Sequence, residues 1–313
     1  MADPIKVLIA DDMSKKAVDL LTGAGFEVDV KTGMKPEELA AVVGQYHGLG
    51  VRSASKVTAA VLANPGKLKI IGRAGVGVDN IDVKAATETG VLVINTPQGN
   101  AAAAAELAIG LMFALARKIP GADASMKRGE WEKKKFMGVE IAGKTLGVVG
   151  LGNIGRNAAS RGVGLGMNVI GYDPFPPKEL PAGVKLASLD DVITKSDFVT
   201  LHVPLTDGTK SLFNAETFAK MKKGSYLINC ARGGVVDESA VLPALESGQL
   251  AGAALDVFGK EPPVPAPLFN HDNVIFTPHL GASSKEAQEK VAIELAEVFI
   301  GFLKDGVVKN AVK

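Results

Sequence analysis

Four features of the 313-residue sequence combine residue types and spacings that suit chemistry. The first is the glycine-rich turn Gly147-Val148-Val149-Gly150-Leu151-Gly152-Asn153-Ile154-Gly155. The others are Arg232 in Asn229-Cys230-Ala231-Arg232-Gly233-Gly234, Glu261 ahead of Pro262 and Pro263, and His279 in Thr277-Pro278-His279-Leu280-Gly281. A G-x-G-x-x-G turn can hold a dinucleotide pyrophosphate. A guanidinium grips a carboxylate or a 2-oxo oxygen bidentately and stays charged. Imidazole titrates near neutrality, so it can take a hydroxyl proton as hydride leaves and return it in reduction. A carboxylate beside it holds the ring's tautomer and favours the imidazolium. Glu261, in a loop fixed by prolines, is the best supplier. The set suits oxidation of a 2-hydroxy acid, with a nicotinamide carrying the hydride. The bland alternatives are a structural glycine turn, an arginine in a surface ion pair and an incidental loop histidine.

Context strengthens the glycine turn. Residues 144–149 predict a buried strand entering it and residues 154–165 a helix leaving it. Gly150 permits the tight turn, Gly152 lets backbone approach the pyrophosphate, and Gly155 lets the helix pack on the strand. The next predicted strand ends at Asp173, about 20 residues on, where the acceptor for the adenosine ribose belongs. A carboxylate there accepts from a 2′-hydroxyl and repels a 2′-phosphate. No arginine directly follows it, so NAD is expected over NADP.

The remaining candidates carry less chemistry. His47 and His271 have no comparable surroundings and read as structural or solvated. His202, before Val203-Pro204 at a strand end, is expected to line the cofactor cleft without moving protons. Cys230 adjoins Arg232 but lacks a convincing base, and reads as cleft wall. No His, Cys, Asp or Glu cluster has metal-ligand spacing, so no metal is expected.

These residues need elements to position them. Apolar runs at 6–10, 26–30, 48–51, 69–72 and 91–95 predict strands, alternating with helices at 14–23, 36–43, 58–62 and 83–89. A long Ala-rich helix follows at 100–116, then a polar stretch at 118–138 that holds Trp131, the only tryptophan. The alternation restarts with strands at 145–150, 167–172, 198–201, 225–229, 251–256 and 273–276, and a final helix spans about 284–303. Such alternation predicts an α/β protein of two doubly wound parallel-sheet (Rossmann-like) domains with a cleft between them.

Composition is ordinary for a globular chain, with 47% hydrophobic and 22% charged residues. Lys plus Arg number 35 against 34 Asp plus Glu, so no global field favours nucleic acid or an anionic membrane. No apolar run could span a bilayer and no signal peptide is visible. One cysteine excludes an internal disulfide and fits a reducing cytosol, so a cytoplasmic location is expected.

At this point the sequence resembles the D-isomer-specific 2-hydroxyacid dehydrogenases over nearly its whole length, from about Lys6 to Val308. The segments that carry the resemblance include Arg73-Ala74-Gly75-Val76-Gly77-Val78-Asp79-Asn80, Asn95-Thr96-Pro97-Gln98-Gly99-Asn100 and Trp131-Glu132-Lys133-Lys134-Lys135-Phe136-Met137-Gly138. Residues 229–238, 252–258 and 278–286 carry it as well, and several of these segments point to the branch that oxidises 3-phospho-D-glycerate.

The resemblance implies Arg232, Glu261 and His279 as the catalytic set. It implies a discontinuous, flavodoxin-like substrate domain of residues 1–98 plus 284–313 and an NAD domain of 99–283. Cofactor contacts would come from Val76, Asn153, Ile154, Asp173, Val203, Cys230, Ala231, Asp256, Gly281 and Ala282, besides Gly150, Gly152, Gly155, Arg232 and His279. Arg52, Arg73 and Lys133 would meet the substrate's phosphate, and Ser53 and Gly75 would offer backbone N–H groups to its carboxylate, beside Arg232 and His279. The implied assembly is a homodimer or homotetramer, with the Trp131 segment crossing the interface.

Two other readings compete. One is the same chemistry on glyoxylate, hydroxypyruvate or 2-oxoglutarate, which Arg52 and Arg73 argue against. The other is an NAD-sensing interaction protein built on a dehydrogenase scaffold, for which the sequence offers no partner-peptide signature or extended tail.

Overall fold

The structure is a computed structural model that describes residues 3–312. The chain divides into two compact units, Met1–Ala101 with Ala282–Lys313, and Ala102–Gly281.

In the first unit, β1 (Lys6–Ile9), β2 (Glu27–Val30), β3 (Gly48–Val51), β4 (Ile70–Arg73) and β5 (Leu92–Asn95) form one parallel sheet in the order β2-β1-β3-β4-β5. Alternate side chains feed two cores. Leu8, Leu49, Val51 and Ile71 pack with Leu39, Val61 and Ala86 from helices Pro36–Val42, Ala59–Leu62 and Val83–Glu88. Val7, Ile9, Ile70 and Ile94 face helix Lys15–Gly23 and the final helix Lys285–Asp305, which contributes Leu295 and Phe299. A parallel sheet covered on both faces must be apolar on both, which is why inner strands such as β1 and β4 read as apolar runs, while the edge strand β2 alternates Glu-Val-Asp-Val. The final helix starts at Ser284, whose side chain accepts the Ala287 N–H, and stops at left-handed Gly306.

In the second unit, seven parallel strands are ordered β12-β11-β10-β9-β6-β7-β8. They are β6 (Thr145–Val149), β7 (Asn168–Tyr172), β8 (Val184–Leu186), β9 (Phe198–Leu201), β10 (Ser225–Asn229), β11 (Leu250–Leu255) and β12 (Val274–Phe276). One face packs on Ala108, Leu111, Met112 and Leu115 of the apolar helix Ala101–Ala116. The other buries Val199, Leu201, Leu227 and Leu255 against Phe218 and Val241, from helices Ala215–Lys220 and Glu238–Glu246.

Short helices Leu189–Lys195, Ala215–Lys220 and Glu238–Glu246 fill the strand connections of the second unit beyond the expected set, and two other elements also lie outside it. β8 is a three-residue edge strand with only Val184 buried, too short for an apolar pattern. Helix Ile119–Lys127 sits inside the polar stretch at 118–138, with Pro120 and Gly121 in its first turn and a left-handed Lys118 before it. Among the described residues, no helix is long and apolar enough to cross a membrane.

Candidate active site

In the second unit the C-terminal strand ends stand in one aligned row. Tyr172 pairs with Val149, Val149 with Leu201, Leu201 with Asn229, Asn229 with Leu255 and Leu255 with Phe276. Every functional residue expected from 150 to 281 follows one of these ends, the edge at which open α/β sheets bind ligands. β6 lies between β9 and β7, so the chain reverses its winding direction there, at the loops after β6 and β9.

The glycine turn occupies that point. Gly150 is left-handed (φ +93°), and a Cβ on it would lie 2.4 Å from the His202 carbonyl oxygen. A Cβ on Gly155 would lie 1.8 Å from the Gly150 carbonyl oxygen. Only glycine lets these three backbone segments meet. Gly152 is the N-cap of helix Asn153–Gly164, without a side-chain cap, and a Cβ there would meet nothing within 4 Å. The first-turn N–H groups of Ile154 and Gly155 thus face an open helix end, which fits a pyrophosphate. Asp173, one residue past β7, accepts from the Leu151 N–H at 2.7 Å and the Phe175 N–H at 2.8 Å. Its carboxylate therefore shapes the glycine turn and still has acceptor capacity for a ribose hydroxyl.

The loop after β9 carries His202 and buried Val203. The His202 Nε2 lies 3.0 Å from Thr200 Oγ1. Burial pushes its pKa down to about 4, because the cation would lose its hydration. The ring is neutral at physiological pH and suits packing rather than proton transfer.

Arg232 stands three residues past β10 on a turn built by one side chain. Asn229 accepts the Ala231 N–H at 3.0 Å through Oδ1 and donates to the Arg232 carbonyl at 3.1 Å through Nδ2. The Arg232 Nη1 donates to the Ala231 carbonyl at 2.7 Å. Gly233 brings this turn against the loop after β11, since a Cβ on it would lie 1.8 Å from the Phe258 carbonyl oxygen. Cys230 and Ala231 are buried at the base. Burial, and then the nearby Asp256 carboxylate, hold the Cys230 thiol well above its usual range, so it is no nucleophile at neutral pH.

Glu261 and His279 come together. His279 Nδ1 and Glu261 Oε2 are 2.8 Å apart, and Glu261 Oε1 accepts the Phe258 N–H at 3.1 Å. The side chains remain 43% and 38% exposed, so a reactant can still reach the ring. His279 itself is left-handed (φ +56°), a conformation that needs support from its surroundings. That support is Asp256, fully buried one residue past β11. Its carboxylate accepts from the Thr277 hydroxyl at 2.6 Å and from the N–H groups of Leu280 and Gly281 at 2.7 and 2.9 Å. Its carbonyl accepts the His279 N–H at 2.8 Å. The loop carrying the histidine hangs on one aspartate.

Lys133 lies elsewhere in this unit, exposed beside Trp131, Met126 and Phe136. Trp131 is 79% exposed. Among the described residues, no three His, Cys, Asp or Glu side chains gather as a metal site.

In the first unit Val51 pairs with Arg73 and Arg73 with Asn95, so Arg52 and Arg73 emerge at neighbouring strand ends. Arg52 Nη1 donates to the Asp12 carbonyl at 3.0 Å, and Arg73 Nη1 donates to the Gly77 carbonyl. Val76 accepts from Asn95 Nδ2 at 2.6 Å, Ser53 is exposed, and Ala282 is half-buried at the start of the returning segment. Gly75 departs from expectation. Its N–H donates to Thr96 Oγ1 at 2.7 Å, so that amide already has a partner within the first unit.

The family model for the D-isomer specific 2-hydroxyacid dehydrogenase NAD binding domain matches residues 109–281. The chain belongs to the D-isomer specific 2-hydroxyacid dehydrogenase family. Its second unit is accordingly the family's NAD-binding domain. Among curated relatives, D-3-phosphoglycerate dehydrogenase of Archaeoglobus fulgidus is 51% identical over 98% of this chain and 59% of its own length. The human protein of that name is 52% identical over 96% of this chain and 56% of its own length. The chain thus spans somewhat over half the length of these relatives. A solved glyoxylate reductase from Paecilomyes thermophila superposes with a TM-score of 0.91 at 30% identity, covering 100% of this chain and 99% of that one.

Three further side chains matter here and carry no mark in the sequence: Asn229, which folds the Arg232 turn, Thr96, which takes the Gly75 amide, and Thr277 on the Asp256 cluster. Each acts by holding backbone. Residue type and spacing do not mark that role, because any short polar side chain beside a strand end can fill it.

Proposed function

We propose that the chain oxidises 3-phospho-D-glycerate to 3-phosphohydroxypyruvate with NAD, the first step of serine biosynthesis. The carrying observation is the 2.8 Å His279–Glu261 pair at the strand edge that also bears Arg232 and the glycine turn. The choice of substrate is supported by identities of 51% and 52% to relatives named D-3-phosphoglycerate dehydrogenase, against 30% to the glyoxylate reductase.

Bound NAD supplies the hydride acceptor. Arg232 orients the substrate's carboxylate and polarises the 2-oxygen. His279 takes the 2-hydroxyl proton on Nε2, and Glu261 fixes the Nδ1–H tautomer and balances the charge the ring gains. Gly150, Gly152, Asn153, Ile154 and Gly155 hold the pyrophosphate and Asp173 the ribose. Val203, Cys230, Ala231, Asp256, Gly281, Ala282 and Val76 complete the cofactor's surroundings. Arg52, Arg73 and Lys133 neutralise the phosphate, and the Ser53 amide meets the carboxylate. The working domains are 1–98 with 284–313, which binds substrate, and 99–283, which binds NAD.

The enzyme works in the cytoplasm as a homodimer or homotetramer, an assembly supported by the exposed Trp131, Met126 and Met137. Steady-state assays with NAD at alkaline pH, comparing 3-phospho-D-glycerate with D-glycerate, glycolate and D-lactate, test the substrate. The phosphorylated acid should have the highest kcat/KM. A preference for an unphosphorylated acid assigns the chain to the glyoxylate-reducing branch instead.

A further inference from the structure

The turn at 52–55 in the first unit has its backbone held from two sides by two buried side chains. Asp11, 4% exposed, accepts the Arg52 N–H at 2.6 Å, the Ser55 N–H at 3.1 Å and the Ser55 hydroxyl at 2.7 Å. Asn80, 9% exposed, donates both of its amide hydrogens to the carbonyls of the same two residues. The Nδ2 distances are 2.8 Å to Arg52 and 2.7 Å to Ser55. Both N–H groups and both carbonyls at the ends of the turn are therefore satisfied by side chains, while Ser53 and Ala54 between them are exposed. Asn80 Oδ1 is buried with no hydrogen-bond partner, so the amide is oriented by its two donor contacts alone.

The place of this clamp in the fold says what it is for. The sheet order β2-β1-β3-β4-β5 puts the reversal of winding between β1 and β3, where open α/β sheets bind ligands beyond the carboxyl ends of their strands. Asp11 follows β1 and the turn follows β3, so the clamp bridges the two strand ends at that point. The adjacent Asp12 carbonyl accepts from Arg52 Nη1, which aims the guanidinium. A turn needed only to join two elements could be closed by its own backbone. This one spends a buried carboxylate and a buried amide on keeping its two exposed residues and one arginine in place.

We infer that Asp11 and Asn80 are positioning residues that hold Arg52 and the Ser53 N–H in the geometry that binds the substrate's two anionic groups, its phosphate and its carboxylate. Neither touches substrate. Both act through the 52–55 backbone, and the inference rests on the substrate reading above.

Kinetics of the full chain test it with Asp11→Asn, Arg52→Ala, the double variant and Ser55→Ala. Asp11→Asn keeps the size but places a donor against N–H donors, and should raise KM for 3-phospho-D-glycerate about tenfold, with kcat falling far less and KM for NAD unmoved. In the Arg52→Ala background the same change should add clearly less, about threefold, because one of the two groups it positions is gone. Fully additive losses, or an unchanged substrate KM in folded Asp11→Asn, would overturn the inference. If Asp11→Asn does not fold, Ser55→Ala removes only the hydroxyl bond and should raise the substrate KM about threefold. An unchanged KM there overturns it too. If wild-type enzyme ignores 3-phospho-D-glycerate, the substrate assignment fails by itself. The same variants, assayed with the 2-hydroxy acid that is oxidised, then judge the clamp by the same criteria.

Discussion

Glu261 Oε2 accepts a hydrogen bond from His279 Nδ1 at 2.8 Å, across 18 residues of chain, and this leaves Nε2 as the ring's reactive nitrogen. The contact fixes tautomer and orientation together. Replacing Glu261 with Gln keeps the shape and removes the charge. It should lower kcat by about 10- to 1000-fold, with NAD affinity within about twofold of wild type. Stopped-flow turnover and NAD titration measure the two quantities. Equal loss of both would mean that Glu261 holds the fold and not the histidine.

Asp173 serves the glycine turn through Leu151 and Phe175 as well as the expected ribose contact. Asp173→Ala should raise KM for NAD at least about tenfold and narrow the preference for NAD over NADP by a similar factor. Paired assays with the two cofactors check it. An unaltered ratio would leave Asp173 with a structural role alone.

His202 makes stability depend on acid. Its pKa is about 4 in the folded chain against the ordinary histidine value of 6.5, so the unfolded chain binds more protons between those values. Stability therefore falls as pH drops from 6.5 towards 4, by about 3 kcal/mol at most for this group. Chemical denaturation at pH 7 and pH 4.5 should show a steeper loss in wild type than in His202→Asn. Matching losses would remove His202 from the account.

Gly233 permits the contact between the Arg232 turn and the Phe258 carbonyl. In Gly233→Ala the two loops must part, which should cost about 1–3 kcal/mol of stability. Turnover should fall more than NAD binding does, because Arg232 moves and the glycine turn does not. Thermal melts and kcat read the two effects separately.

How far the sequence carried this result depends on what each element had to satisfy. Strands of the two sheets were legible to within about one residue, because burial on both faces leaves apolar runs such as Val7-Leu8-Ile9 of β1. The edge strand β8 was not, since only Val184 needs burial. Helix Ile119–Lys127 was hidden by Pro120 and Gly121, ordinarily breakers, which its first turn tolerates. In the site, the residues with distinctive chemistry stood out by type. Asp11, Asn80, Asn229 and Thr277 did not, because they act on backbone that approaches only after the strands align. Gly75 shows the converse: its amide was expected to be available, and Thr96 from 21 residues away takes it.

The most direct test is single-turnover oxidation by His279→Ala, alongside its NAD affinity. Turnover should fall at least about a thousandfold while the NAD dissociation constant stays within about threefold of wild type. Near-normal turnover with NAD bound would contradict the assignment of His279 as the proton acceptor, and with it the mechanism built on the Glu261 pair.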